Sequence, residues 1–306
     1  MAEALSVYPL PSSGMLKLVI PKGSLEAQTL ALFEAADIRL VRGSDRDYHG
    51  KVDDPRIQEF SLLRPQEIPR YVEDGFFDLG LTGLDWVLET KATVATVAEL
   101  PYSKAYVGGR VRIVVAVSEA SGINEPHQIK PDSRISTEYV ELTRRYFEEI
   151  GIPVKIFLSY GATEAKVPTI VDAVVEVTDT GSTLRRHGLK VIHTILESPT
   201  LLIANPAAYA DPAKRQAIEE LKILIMGAIN ARGKVLMKLN VPGQYLQAVL
   251  DGLPSMRAPT VSQLADKSFY AVETVVERTL VNLLIPRLKS IGATDILELP
   301  ITKIVE

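Results

Sequence analysis

The stretch that most constrains this chain is Asp172–Gly188, reading DAVVEVTDTGSTLRRHG. Asp172 to Val177 is mostly apolar and β-branched, the mark of a buried strand. Leu184 to Gly188 reads as a short helix closed by glycine. A buried strand turning directly into a helix is the unit from which α/β layers are built. Between the two lies a tight turn of small hydroxyl residues around Gly181. Successive backbone N–H groups of such a turn converge on one anion, and a helix N-terminus adds partial positive charge. Thr180, Ser182 and Thr183 add hydroxyl donors. Gly181 lets the backbone approach closely. A bare phosphate site has no use for the acids Asp172, Glu176 and Asp179. Ribose hydroxyls do, because carboxylates accept their hydrogen bonds. The stretch therefore reads as a cradle for a ribose 5-phosphate. The ordinary alternative is a strand-to-helix turn with Thr180 or Ser182 as N-cap, and on this stretch alone both readings stand.

The same strand–helix unit recurs. Leu16 to Ile20 reads as a strand, followed by Pro21-Lys22-Gly23-Ser24 and a helical pattern. Lys22 thus sits at the carboxyl end of a strand, where α/β sheets bind ligands. Arg56 to Leu63 is a strand leading to Arg64, and Phe77 to Gly83 is a buried strand running into a glycine turn before the helix that starts at Asp85. A second block follows, with strands at Val111–Val117, Arg134–Tyr139 and Val154–Leu158, and a helix at Leu142–Ile150. Two successive blocks predict two α/β lobes with a cleft between them. Thr200–Ala204 reads as a strand crossing back to the first lobe, and a long amphipathic helix follows to Ala231, with Ile218, Leu221, Ile225, Ala228 and Ile229 on its apolar face. From Lys234 onward the order is β-α-β-β-α-β, a ferredoxin-like module. The expected division is a loose leader at 1–14, lobe I at 15–109 and 196–232, lobe II at 110–195, and a regulatory domain at 233–306.

Composition excludes several classes. A net charge of −4 argues against a general nucleic-acid binder, and zero cysteines exclude disulfides and thiolate metal sites. His49, His127, His187 and His193 lack metal-ligand spacing, so no protein metal site is expected. No apolar run is long enough to span a bilayer, and the first residues lack a signal-peptide pattern, so a cytoplasmic protein without membrane contact is expected.

Several collinear segments together resemble one family. They are Pro21-Lys22-Gly23, RPQEIPRYVEDG from Arg64 to Gly75, DLGLTGLD from Asp78 to Asp85, LTRRYF from Leu142 to Phe147, DAVVEVTDTGSTL from Asp172 to Leu184, Ala258-Pro259-Thr260-Val261 and Ile291-Gly292-Ala293. The chain resembles ATP phosphoribosyltransferase in its long form, the first enzyme of histidine biosynthesis, from Leu16 to Val305.

That resemblance implies a two-lobed core similar to periplasmic binding proteins plus a C-terminal ferredoxin-like (βαββαβ) regulatory domain. It implies that N1 of ATP attacks C1 of phosphoribosyl pyrophosphate and expels pyrophosphate. Asp179, Thr180, Gly181, Ser182, Thr183 and Leu184 then form the 5-phosphate loop. Asp172 and Glu176 accept the ribose hydroxyls, and Lys22 and Arg64 contact phosphates. Gly80, Leu81, Thr82, Gly83 and Asp85, with Glu138 and Tyr139, shape the nucleotide site. Mg2+ is expected, held mostly by substrate oxygens. Histidine is the expected inhibitor, near Asn240, Thr260, Val275 and Asp295, and a homo-oligomer (dimer or hexamer) is implied. The chain departs from the family pattern at Ser24, where many relatives carry arginine, at Glu67 and Glu176, where aspartate is common, and at Val140, where proline is usual. Two other readings are a non-catalytic two-lobed sensor and a phosphoribosyltransferase that uses a free base. The paired acids and Lys22 argue against the first, and the third domain and the LTGLD turn against the second.

Overall fold

The computed structural model describes residues 15–44, 46–102, 109–254 and 258–306, so the expected leader at 1–14 lies outside the described residues. The chain divides into two compact units, 1–222 and 223–306.

The first unit holds one mixed sheet. Its strands are β1 (Leu16–Pro21), β2 (Leu40–Val41), β3 (His49–Val52), β4 (Ile57–Leu63), β5 (Leu79–Gly83), β6 (Ala95–Leu100), β7 (Arg110–Ser118), β8 (Arg134–Thr137), β9 (Lys155–Leu158), β10 (Ala173–Thr178) and β11 (Leu189–Ala204). The helices are α1 (Glu26–Ala35), α2 (Ile68–Glu73), α3 (Leu84–Thr90), α4 (Val140–Glu149), α5 (Ser182–Arg186), α6 (Pro206–Ala210) and the start of α7 (Pro212–Ala231), which belongs to the second unit from Ile223 on. The sheet runs β2-β3-β4-β1-β5-β11-β7-β10-β8-β9, with β6 also on β11. Two parallel trios, β4-β1-β5 and β10-β8-β9, are joined through antiparallel β11 and β7. This is the expected two-lobed α/β core.

The join differs from expectation. Thr200–Ala204 is the far end of one continuous strand of 16 residues. Leu189–Pro199 pairs with β7, and Thr200–Ala204 pairs with β5 and β6. Pro199 interrupts the pattern in the sequence, yet it falls where the strand changes partners, and there its missing N–H costs little. The sequence also hides β2, β3 and β6. β2 is only two residues long and directly precedes the turn-forming stretch RGSDRDYHGKVDD, β3 lies within that stretch, and β6 is a half-exposed Ala/Thr/Val run.

Each lobe has its own core, and Trp86 of α3 reaches into the second one. Val19, Ile68, Val72, Leu201 and Ile203 form one core, and Ile113, Val115, Ile135, Phe147 and Val175 belong to another. Each fully buried side chain of this size contributes about 1.5–3 kcal/mol. Because neighbouring strands in each trio are parallel, their carboxyl ends share an edge. The loops after β1, β4 and β5 therefore emerge together, as do those after β8 and β10.

The second unit contains β12 (Lys234–Pro242), α8 (Leu246–Gly252), β13 (Thr260–Gln263), β14 (Phe269–Glu277), α9 (Arg278–Ile291) and β15 (Thr294–Pro300). Its antiparallel sheet has the order β13-β14-β12-β15, the expected ferredoxin-like arrangement. Strict alternation places Val235, Met237, Leu239 and Val241 in the core. Val281, Leu284 and Leu288 of α9 recur at helical spacing and cover that face.

Candidate active site

A cleft of about 670 Å3 in the first unit is lined by the strand-end loops. Lys22 follows β1 and Arg64 follows β4, and these strands are parallel neighbours with Pro21 opposite Leu63. The register brings both cations to one place. Lys22 N–H donates to Leu63 O at 2.7 Å, and the Lys22 ammonium lies 3.7 Å from the centre of the Tyr48 ring. Gly23 has φ +99°, and a Cβ there would lie 3.5 Å from Arg64 Nη1. The arginine therefore packs along the backbone of the Lys22 turn. Ser24, the departure from the family arginine, lines the same wall.

Opposite them runs the loop from Thr178 to Leu184. Gly181 takes φ +74°, a left-handed conformation natural to glycine, and its N–H donates to Thr178 Oγ1 at 3.0 Å. Thr180 Oγ1 donates to Ser182 Oγ at 3.1 Å. Helix α5 has five residues, and its first-turn N–H groups have no intrahelical acceptor. So short a helix carries little macrodipole. The anion affinity expected of this loop therefore rests on its N–H groups and hydroxyls rather than on the helix. Asp179 Oδ2 is buried without a hydrogen-bond partner.

Two carboxylates face the cleft, Asp85 buried and Glu176 half-buried. Burial pushes Glu176 up to about 7, the Thr163 hydroxyl draws it down, and the charges of Glu138 and Glu164 push it further up. Asp85 is 3% exposed, and burial raises it too, against the pull of its hydrogen bonds. Its oxygens are taken: Ser198 Oγ donates to Oδ1 at 2.5 Å and Tyr139 Oη to Oδ2 at 2.8 Å. The Tyr139 ring stacks on Trp86 at 4.5 Å between centroids. Burial and the neighbouring Asp85 charge hold the Tyr139 phenol well above its ordinary range. Asp85 is thus an occupied joint between the lobes. Nearby, the Glu89 carboxylate accepts from Glu141 N–H at 2.9 Å and Leu142 N–H at 2.9 Å, capping α4 where Val140 replaces the family proline.

The cleft brings together Lys22, Arg64, Gly83, Asp85, Glu138, Tyr139, Glu176 and all of Asp179–Leu184. Other expected site residues fall elsewhere. Asp172 lies at the amino end of β10, roughly 13 Å back along the strand from Glu176. There it accepts from Arg134 N–H at 2.8 Å and pairs with the guanidinium at 3.0 Å, which holds its carboxyl below the usual range. Cleft loops form at carboxyl ends, so Asp172 is withdrawn from the cleft. Gly80 is a packing glycine: a Cβ there would meet Val72 Cγ2 at 2.9 Å and Val19 Cγ1 at 3.0 Å. Leu81 and Thr82 are buried in β5, where Thr82 Oγ1 donates to Pro65 O at 3.0 Å and steadies the Arg64 loop.

In the second unit, Asn240, Thr260 and Val275 share the sheet face away from the core, by their register with Ala271, Glu273 and Leu236. Asn240 Nδ2 donates to Asp295 Oδ2 at 2.9 Å. The Lys238–Glu273 ion pair at 2.6 Å interrupts the row between Asn240 and Val275. Sequence reasoning missed Gln66, Thr163, Glu164 and Ser198, which line the cleft. The Gly161–Glu164 turn after β9 was the available signal for two of them, and nothing short-range marks Ser198.

Fold and cleft define a class: a two-lobed α/β core with a ligand-sized cleft and a ferredoxin-like unit. The family model for ATP phosphoribosyltransferase matches residues 64–227, and that for the HisG C-terminal domain matches 231–303. The chain is 48% identical over 291 residues to the ATP phosphoribosyltransferase of Solibacter usitatus, covering 95% of this chain and 99% of that one. It is 49% identical over 298 residues to that of Nitratidesulfovibrio vulgaris, covering 97% and 100%. Among solved structures, the ATP phosphoribosyl transferase (HisG:HisZ) complex from Thermotoga maritima matches with TM-score 0.58 and 27% identity, over 69% of this chain and 99% of that one. This chain belongs to the ATP phosphoribosyltransferase family of histidine biosynthesis, and the sensor and free-base readings are not favoured. No helix among the described residues is long and apolar enough to cross a membrane.

Proposed function

We propose that the cleft binds phosphoribosyl pyrophosphate and ATP side by side, with the 5-phosphate in the Thr180–Thr183 turn. The ATP N1 lone pair forms the bond to ribose C1 as the C1–oxygen bond to pyrophosphate breaks, and the electron pair leaves with pyrophosphate. Positive charge develops on the ribose and negative charge on the leaving group. Preorganised donors are worth most where such charge develops. Lys22 and Arg64 face the leaving pyrophosphate, and Arg64, packed on the Gly23 turn, takes over for the arginine that Ser24 replaces. Glu176 accepts from the ribose hydroxyls, and Gly83, Glu138 and Tyr139 border the nucleotide. The observation that carries this reading is the single cleft that joins the Lys22–Arg64 cation pair to the hydroxyl turn and Glu176.

The donor set fits a divalent cation, magnesium in this reading. Asp179 Oδ2 is a buried acceptor without a donor, and a carboxylate oxygen is a hard ligand suited to an ion otherwise held by phosphate oxygens. When bound, the ion neutralises pyrophosphate charge. The test is to mix the protein with ATP, phosphoribosyl pyrophosphate and magnesium and follow phosphoribosyl-ATP absorbance. Absence of product from folded protein would overturn the reading.

The second unit, by the same family placement, binds free histidine and inhibits the core of a cytoplasmic homo-oligomer, dimer or hexamer. Asp295 serves the ammonium and Thr260 the carboxylate. Calorimetry and inhibition assays check this. Millimolar histidine that neither binds nor slows turnover would leave the unit a structural role.

A further inference from the structure

Behind Glu176 lies a row of hydroxyl groups that the reaction as described does not use. Ser159 and Thr163 are buried, 2% and 1% exposed, and their hydroxyl oxygens are 2.7 Å apart. Thr163 and Glu176 line the same cleft, and the Thr163 hydroxyl draws the Glu176 carboxyl down. At the far end stands Lys166, half-buried on the turn Thr163–Lys166. Its ammonium donates to Ser159 Oγ at 2.6 Å and to Ser136 Oγ at 3.4 Å. Most other described lysine contacts in this protein are with carboxylates, as in the Lys91–Glu141 and Lys214–Asp78 pairs. The Lys166 contacts are with hydroxyls.

This chemistry has a direction. An ammonium can only donate, so Ser159 must accept from it. The single Ser159 proton then has two acceptors in reach, Thr163 Oγ1 at 2.7 Å and Gly161 O at 3.3 Å, and the shorter contact favours Thr163, whose own proton is left for a carboxylate oxygen. We propose that Lys166 is a positioning residue for the transfer reaction, orienting the Ser159–Thr163 hydroxyl chain so that Thr163 donates to Glu176 and holds its carboxylate toward the ribose. The proposal rests on the reading of Glu176 as the ribose acceptor. A donor to the ionised form favours ionisation, and Lys166 reaches Glu176 through this chain. Other groups set the starting point. Glu138 and Glu164 oppose ionisation, Tyr139 stands by with its phenol, Arg112 on the neighbouring β7 donates to Asp179 O at 3.5 Å, and Lys22 and Arg64 occupy the opposite wall.

The test uses the full chain labelled with 13C at the glutamate side-chain carboxyls, with Glu176→Gln identifying the resonance. Lys166→Met keeps the methylene stem and removes the charge. The Glu176 midpoint is expected to rise by about one pH unit, a moderate loss of charge and hydrogen bonding. The acidic limb of kcat/KM for phosphoribosyl pyrophosphate should move with it. A one-unit rise from about 7 cuts the ionised fraction roughly eightfold at pH 6.5 and by only about a tenth at pH 9. Lys166→Arg should restore both readouts. Thr163→Val, which cuts the last link and leaves the charge, should raise the midpoint even if Lys166→Met does not fold. An unmoved midpoint and an unmoved limb in folded variants overturn the proposal, since a merely structural lysine would change stability and leave both in place. A midpoint that moves while Glu176→Gln leaves the phosphoribosyl pyrophosphate KM unchanged upholds the hydroxyl chain and overturns the ribose assignment instead.

Discussion

Asp85 on the floor of the cleft and Glu176 on its wall are both carboxylates raised by burial, yet they are equipped differently. Asp85 is surrounded by donors from Ser198 and Tyr139 and by backbone N–H groups. Glu176 has Thr163 and its neighbour's N–H, with two like charges close by. A buried acid whose donors are all supplied by the protein is architecture. One left short of donors is a place where a substrate can supply them, and ribose hydroxyls are such donors.

The contrast can be broken at Glu176 first. Glu176→Gln should lower kcat/KM for phosphoribosyl pyrophosphate by about 10²–10³, the usual cost of removing one preorganised group from a reacting centre. The same substitution should raise the stability of the ligand-free protein at high pH. The folded-state value of about 7 lies above the ordinary 4.5, so the folded protein holds the proton more tightly. Its stabilising effect is full below about 4.5 and is lost as pH rises through 7. Glu176→Gln should therefore melt higher than the parent at pH 8, and a melting series from pH 5 to 8 that shows no convergence at the acid end would contradict this sign. Next in size is the cradle. Thr183→Ala removes a donor worth about 1.5–3 kcal/mol and should raise the phosphoribosyl pyrophosphate KM by roughly ten- to a hundredfold with the fold intact.

At Asp85 the signature should be reversed. Asp85→Asn places an amide N–H against a hydroxyl donor and should cost about 1–3 kcal/mol of stability, measured by urea unfolding. Its effect on activity should follow the loss of folded protein. A large kinetic defect in a stable Asp85→Asn variant would make the two acids alike after all. The smallest effect belongs to Asp172. Its ion pair with Arg134 is half-exposed, so Asp172→Ala should change stability by about 0–1 kcal/mol and leave the phosphoribosyl pyrophosphate KM in place.

Asp172 also shows where sequence reasoning stopped. Asp172 and Glu176 share a face of the strand by period two, and the sequence makes them look like a pair. Only strand direction separates them, because a parallel strand has one functional end. The loop at Thr178–Leu184, Lys22 and Arg64 were legible because a strand end, a turn and a charge are local signals. The ferredoxin-like unit was legible because its strands alternate strictly, as at Val235–Val241. Gly80 misled because packing and ligand approach both ask for glycine, and only the crowding by Val72 and Val19 decides. Ser198 could not have been found, since its partner Asp85 is 113 residues away. Thr163 had the Gly161–Glu164 turn as its signal, whereas nothing in the sequence marks Ser159, whose hydroxyl meets Thr163 only when that turn folds back.

The continuous strand β11 has a mechanical meaning. A loop between lobes would let them swing with the torsional freedom of a few residues. Here a rotation of one lobe against the other must twist a hydrogen-bonded ladder, and the ladder is weakest where it trades β7 for β5 and β6, at Pro199–Thr200. Strain from any closing motion would gather there, beside Ser198 and its grip on Asp85. Amide exchange at Ser198, Thr200 and Leu201 is therefore a strain gauge for the cleft, readable without a probe in the cleft itself.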